Sequence, residues 1–403
     1  MSIEIIGMVA TQDVSESRPL SSGLAIDVDY LTRFARAHEA AGFDRVLIGY
    51  HATGPDGFAV AAHVLNATSR LKVLIAHRPG FVAPTLVARK LATLDALTGG
   101  GRVAIHHITG GDEADQQRDG DFTGHDRRYA RTAEFMDVLR RELTATEPFD
   151  FDGEFYRVRG AFSDVRPASP AGLPLYFGGA SPAAVEVGAQ QADVYMLWGE
   201  PVAQVAERVA EVRDLAARHG RTLRFSLSVR PIVAATEEAA WARAEQIRAA
   251  TAERVAASGG AQVQGVMKTG RATGLTRSSS VGSARLQQQA AAADVHDERL
   301  WFGVTGLTGP GGNSSALVGT PRQVAGALLA YRRVGVDTVL IRGFDPLEDV
   351  IDWGRELVPL LREQAAIPPG TLPGTRPATL PAPETPASSA VTSTPGVAVA
   401  DHG

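Results

Sequence analysis

The amino-acid sequence predicts a (β/α)8 barrel, and three observations carry that prediction. Eight short apolar runs each precede a segment whose apolar residues recur at helical spacing. The runs are near-continuous in Val, Ile and Leu, which suits parallel strands buried on both faces. No run is followed by a G-x-G-x-x-G turn opening a helix, the mark of a doubly wound open sheet. Eight units in roughly 360 residues match a barrel that carries insertions.

The first unit sets "IEIIGMVA" (3–10) before "DYLTRFARAHEAAGF" (29–43), and the second sets "RVLIGYH" (45–51) before "FAVAAHVLNAT" (58–68). In the third, "KVLIAHR" (72–78) leads to "PTLVARKLATLDAL" (84–97), with proline well placed for a first helical turn. "RVAIHHIT" (102–109) and "RYARTAEFMDVLRREL" (128–143) form the fourth unit, "PLYFGG" (174–179) and "SPAAVEVGAQQ" (181–191) the fifth. "VYMLWG" (194–199) then precedes 201–220, "LRFSLSVRPIV" (223–233) precedes 237–250, and "TVLIRGF" (338–344) precedes 347–363.

Two insertions interrupt this rhythm. Residues 146–170 read as a hairpin turning at "DGE". Residues 255–320 are long and rich in Gly, Ser and Gln, and a connection of that length predicts a lid over the barrel mouth. Beyond residue 366 the chain turns dense in Pro, Ser and Thr. The expected organisation is a barrel domain over 1–366 and an extension over 367–403.

Composition narrows the function. There are no cysteines, which excludes disulfides, thiolate nucleophiles, iron–sulfur clusters and thiolate zinc sites. The net charge of −5 is spread along the chain and offers no nucleic-acid surface. No stretch of about 18 apolar residues predicts a membrane span, and the N-terminus lacks a signal-peptide pattern. The expected location is the cytoplasm.

In a barrel the loops after the strands build the site, which singles out Thr11, Gln12, Tyr50, His51, His77, Arg78, His106 to Thr109, Gly178 to Ser181, Trp198, Ser228, Arg230 and Arg342. The stretch "RVAIHHITGGDEADQQRDGDFTGHDRRY" concentrates histidines and aspartates. His106 and His107 must point to opposite faces of their strand, and Arg127 and Arg128 beside His125 oppose a divalent metal. A metal site is therefore not expected. An anion site fits better: "GGAS" (178–181) ends a strand and opens a helix, where backbone N–H groups and the Ser181 hydroxyl attract negative charge. His125 and Tyr129 are placed to approach the same anion. Arg230, beside Pro231 at a strand end, either binds an anionic substrate or makes a structural ion pair. Trp198 either stacks on a planar ring or plugs the barrel.

These segments resemble the luciferase-like flavin monooxygenases, in particular their two-component alkanesulfonate monooxygenase branch. The likeness runs in order through "RPGFVAPTLVARKLATLDALTGGGRVAIHHITGG", "HDRRYARTAEFMDVLRREL", "FDFDGEFYRVRGAFSDVRP", "PLYFGGASPAAVEVGAQQADVYMLWGEP", "SSSVGSARL" and "LWFGV". The resemblance implies an enzyme that takes reduced FMN from a separate NAD(P)H-dependent flavin reductase. With O2 it would cleave the C–S bond of an organosulfonate to sulfite and an aldehyde. It implies an FMN phosphate on His125, Tyr129, Ala180 and Ser181, and a flavin ring near Ala76 and His106. A homo-oligomer, dimer or tetramer, is expected on the same ground.

The sequence departs from that branch in ways that bear on the substrate. Gly54 stands where the branch has a cysteine after strand 2, and Ser228 and Arg230 replace an arginine–histidine pattern. The stretch "TGLTGPGGNSS" lacks the arginine that the branch carries in its lid. Tyr331 matches an active-site tyrosine, although its spacing puts it on a helix, where a core role is equally expected. His51, Trp198 and Arg230 predict a polar mouth suited to a hydrophilic organosulfonate such as a sulfosugar. The alternatives are a dialkyl sulfone monooxygenase, a deazaflavin-dependent hydride-transfer enzyme, and a flavin-binding or metal-dependent hydrolase-like protein. A deazaflavin enzyme needs a basic groove for the cofactor's acidic tail, and this chain is poor in lysine.

Overall fold

The computed structural model describes residues 3–13, 15, 25–110, 112–257, 280–308 and 315–366. The extension expected over 367–403 lies outside the described residues, as do the glycine-bearing stretches 258–279 and 309–314 of the long insertion. Eight parallel strands close a barrel in the order β1 (Glu4–Val9), β2 (Arg45–Ile48), β3 (Lys72–His77), β4 (Val103–His107), β7 (Leu175–Gly178), β8 (Val194–Trp198), β9 (Arg224–Val233) and β13 (Thr338–Ile341). The last pairs back to the first, with Ile5 opposite Val339. These are the eight predicted strands.

Inside the barrel Ile6, Leu74, Ala104, Tyr176, Val194 and Leu340 form one apolar layer. Below it, Glu4 accepts from Arg45 at 3.2 Å and from Arg224 at 2.7 Å, which pairs the charges at the closed end. Residues of the opposite parity, such as Ile5, Val73, Ile105 and Leu227, pack outward into the main core beneath the helices.

The helices start where their caps predict. Asp56 caps α2 (Gly57–Ala67), Ser181 caps α6 (Pro182–Gln191), and Pro84 opens α3 (Pro84–Leu97). The carbonyls at the end of α2 and in the turn into β3 are gathered by Arg102, which donates to Leu65, Thr68 and Leu71. Arg102→Ala should therefore lower stability by about 2 kcal/mol, read as a drop in Tm. Unchanged melting would show that water replaces the guanidinium without cost.

The hairpin forms as expected, from β5 (Phe149–Asp152) and β6 (Arg157–Ala161). Its turn is held by Glu134, whose carboxylate accepts from Glu154, Phe155 and Tyr156 N–H. A Cβ at Gly153 would lie 2.3 Å from that carboxylate. Helix α5 begins at His125 rather than 128 and runs to Thr144, and a short α4 (Glu113–Arg118) precedes it. The final helical segment divides into Pro346–Arg355 and Leu357–Ala366.

Over its described residues, the long insertion is more structured than its composition predicts. It contains α9 (Val281–Ala292) and three short strands, β10 (Val295–His296), β11 (Leu300–Trp301) and β12 (Ala316–Gly319). Trp301, Val304, Ala316 and Val318 build a second core with Ile232, Ile247 and Phe344. Strand β9 makes this possible. Its Ser226–Val229 pair with β13, and its Arg230–Val233 continue upward to pair with β12. Among the described residues no helix is long and apolar enough to cross a membrane.

Candidate active site

Side-chain alternation decides which residues reach the barrel mouth. Ile105 belongs to the outer core and Ala104 to the interior layer, so His106 faces inward and His107 outward. His106 sits opposite Ala76 of β3 in register. A Cβ at Gly178 would lie 3.6 Å from the His106 ring. Ala76, His106 and Gly178 thus form a floor with little bulk. Burial pushes His106 down to about 4, so its ring is neutral near pH 7. Its buried Nδ1 has no hydrogen-bond partner of ordinary geometry.

Beside this floor, the turn from β7 into α6 makes a tight cradle. A Cβ at Gly179 would come within 2.5 Å of the Ala184 Cβ and 3.3 Å of the Tyr129 Oη. The Tyr195 hydroxyl donates to the Gly179 carbonyl at 2.6 Å. Burial pushes the Tyr129 phenol up, and the neighbouring Ser181 hydroxyl partly offsets this. The His125 ring stands edge-on to Tyr129 at 5.0 Å, half-exposed, with Nδ1 2.8 Å from Asp126. His125, Tyr129, Ala180 and Ser181 are thereby brought to one place.

The first turn of α9 covers this place from above. A Cβ at Gly282 would lie 3.1 Å from the Trp198 ring and 3.6 Å from the Ala180 Cβ. Trp198 is therefore half-buried between the barrel end and the insertion. Glu200, two residues on, forms a two-point ion pair with Arg285 of α9, one contact being 2.7 Å. Tyr331 belongs to this support and not to the mouth. It lies in the helix Pro321–Arg333, fully buried, and its hydroxyl donates to the Glu200 carbonyl at 2.8 Å.

The aspartates of the 102–129 stretch also have structural partners. Asp112 caps α4, Asp115 pairs with Arg78 at 2.6 Å, and Asp121 pairs with Arg131. Asp119 accepts from the Tyr50 hydroxyl at 2.6 Å, while the Arg78 guanidinium lies 4.7 Å from the Tyr50 ring. Asp115 also accepts from Ala52 N–H, so this network fixes the loop that carries His51. The His51 ring occupies the space above Gly54, where a Cβ would be 2.6 Å away. Among the described residues no three His, Asp or Glu side chains gather as a metal site would require.

A pocket of about 970 Å³, its open mouth included, lies at the ends of β1, β2 and β13. Its walls are mostly apolar, with Met8, Ile48, Val60, Phe344 and Pro346 among them, and Gln12, His51 and Arg342 supply polar groups. Around the barrel, β1 stands across from β7. Of the three residues from which the sequence predicts a polar mouth, His51 lines this pocket and Trp198 and Arg230 do not.

Arg230 is placed behind this pocket's wall. It is 2% exposed, its guanidinium lies 3.5 Å from the Phe344 ring centre, and Nη2 donates to the Gly343 carbonyl at 2.8 Å. Its own N–H donates to Ser315. It therefore stitches the ladder where β9 changes partner from β13 to β12. Phe344, which sequence reasoning did not single out, could have been found only as the residue just past a strand-end Arg-Gly.

The family model of luciferase-like monooxygenases matches residues 6–338. Several solved structures share the fold. A riboflavin lyase with modified FMN and riboflavin is 20% identical, with 90% of this chain and 92% of that chain covered and a TM-score of 0.69. The EDTA monooxygenase of Chelativorans sp. BNC1 is 17% identical, with 91% and 95% covered and a TM-score of 0.71. An F420-dependent secondary alcohol dehydrogenase is 17% identical, with 90% and 100% covered and a TM-score of 0.62.

Proposed function

Because the chain belongs to the luciferase-like monooxygenases, we propose that it is an FMNH2-dependent monooxygenase acting on an organosulfonate. The observation that carries the flavin is the cradle at Gly179, which has no room for even one more methyl group beside Ala184. In this reading the phosphate sits on the open side of that turn, away from Ala184, against the start of α6, with the Ser181 and Tyr129 hydroxyls as donors and His125 at its edge. The isoalloxazine ring fits the shallow floor of Ala76, His106 and Gly178. When bound, the reduced flavin supplies the activation of O2. A separate NAD(P)H-dependent reductase is the proposed source of that reduced flavin.

The chain's own residues have distinct tasks in this reading. Neutral His106 offers the flavin edge a hydrogen-bonding nitrogen without adding charge. Trp198 and α9, latched through Glu200 and Arg285, keep water from the side of the floor. Tyr331 positions Glu200. His51 and the pocket walls receive the substrate, and their apolar character favours an alkyl or aryl body over a sulfosugar. Those same walls favour a neutral sulfone as the second reading.

Arg285→Met should loosen α9 and raise the share of NADH consumed without product. Unchanged coupling between NADH and product would remove the latch from the reaction. The function itself is tested by sulfite release in the presence of FMN, NADH, a flavin reductase and a panel of alkyl and aryl sulfonates. Sulfite from one member is the expected result. Reduced FMN that binds without sulfite from any member would sink the sulfonate and leave the sulfone.

A further inference from the structure

One buried hydroxyl reaches the Gly179 turn from the core side. Tyr195 of β8 has the outward parity, opposite that of Val194 in the interior layer. Its ring is fully buried, with the Phe177 and Phe225 rings 6.3 and 6.4 Å away. In register it stands beside Phe177 of β7. Gly179 is two residues further along, roughly 6.6 Å of strand. The tyrosine spans that distance, and its hydroxyl donates to the Gly179 carbonyl at 2.6 Å. We propose that Tyr195 is a positioning residue for anion binding at this turn: it holds the Gly179 carbonyl toward the core and so turns the Ala180 N–H away from it.

The first support is the peptide group itself. The Gly179 carbonyl and the Ala180 N–H belong to one peptide, and a trans peptide carries them on opposite edges. Fixing the carbonyl against a buried hydroxyl therefore fixes the direction of the N–H. Glycine has the widest choice of backbone angles, so this peptide is the one in the turn that most needs a tether.

The second support is the room made for the ring. Helix α6 carries a glycine in its interior at position 188, where glycine is a poor helix former. A Cβ there would lie 2.3 Å from the Tyr195 ring and 3.0 Å from Phe177. The helix thus gives up propensity at the place where the tyrosine must pass beneath it. The third is the company at the turn. Ser181 caps α6, and its hydroxyl neighbours that of Tyr129. With the peptide set by Tyr195, the Ala180 N–H joins these two hydroxyls as a donor. Burial pushes the Tyr195 phenol up, so it stays protonated and its bond to the carbonyl runs one way only.

The proposal rests on the flavin phosphate sitting at this turn, and riboflavin, which is FMN without its phosphate, tests both readings. Kd values for reduced FMN and reduced riboflavin are to be measured without oxygen on the full chain, as wild type and as Tyr195→Phe. The wild type should prefer reduced FMN. In Tyr195→Phe the ring and its packing remain, riboflavin should bind as before, and the preference for FMN should fall by about 3- to 10-fold. A hydroxyl that serves stability alone would lower Tm and leave the FMN-to-riboflavin ratio at its wild-type value. That result would overturn the role of Tyr195 and keep the phosphate at the turn. Equal weakening of both flavins would overturn it in the same way. A wild type with no preference for FMN sinks the phosphate reading, and the role of Tyr195 goes with it.

Discussion

At pH 5 the folded chain is expected to be several kcal/mol less stable than at pH 7, and buried histidines are the cause. His38 is fully buried between Phe34 and Phe43, in space that only a glycine at position 7 leaves open. His77 is buried between Phe58 and Phe135. Burial pushes each down to about 4 from its ordinary 6.5. His107, fully buried behind β4, is held well below that ordinary value by burial and by His77 and His106 nearby.

Each of these groups binds its proton more readily in the unfolded chain. Their contribution is therefore whole above about pH 6.5 and drains away as pH falls toward 4. At pH 5 the cost is about 2 kcal/mol for each of His38 and His77. Denaturant midpoints measured from pH 7 to pH 5 should fall steeply, and His77→Leu should flatten the fall. Midpoints that hold constant to pH 5 would mean that the native packing admits the charged rings.

The second large effect is expected at the cradle. In Gly179→Ala the new methyl meets the Ala184 Cβ, which is fixed to the helix backbone and cannot swing aside. Either the start of α6 moves or the cradle narrows, and in both cases the anion loses its donors. Reduced FMN should then bind about 10- to 100-fold more weakly, from an overpacking cost of roughly 1–3 kcal/mol. The double variant Gly179→Ala/Ala184→Gly removes the collision and should recover most of the affinity, less the cost of glycine in a helix. Equal FMN affinity in the wild type and the single variant would take the phosphate elsewhere on the barrel.

The barrel was legible because its signal is repeated. Eight strands of Val, Ile and Leu, each followed by helical spacing, leave few other folds, and the "DGE" turn marked the hairpin. Helix α4 was not legible, since "EADQQR" has no apolar stripe and is held by its cap and by Arg78 instead. The "ALVG" of β12 was hidden at the end of a glycine-rich run, and its pairing depends on how far β9 extends. The phosphate cradle could be proposed from "GGAS" because helix-start chemistry is local. The place of Arg230 could not, because a residue where a strand changes neighbour looks in sequence like any arginine at a strand end. Tyr331 teaches the same lesson, as a family match set it in the site while helical spacing left a core role equally open.

The change of neighbour along β9 has a consequence for the rim of the barrel. Above Val229 the barrel does not stop, since four more residues carry the sheet upward through β12. The vessel is therefore higher on one side, with a lip whose backbone is hydrogen-bonded into the wall beneath it. Such a lip cannot swing like a door without tearing a parallel ladder. The lip raises the wall where β9 stands beside β13.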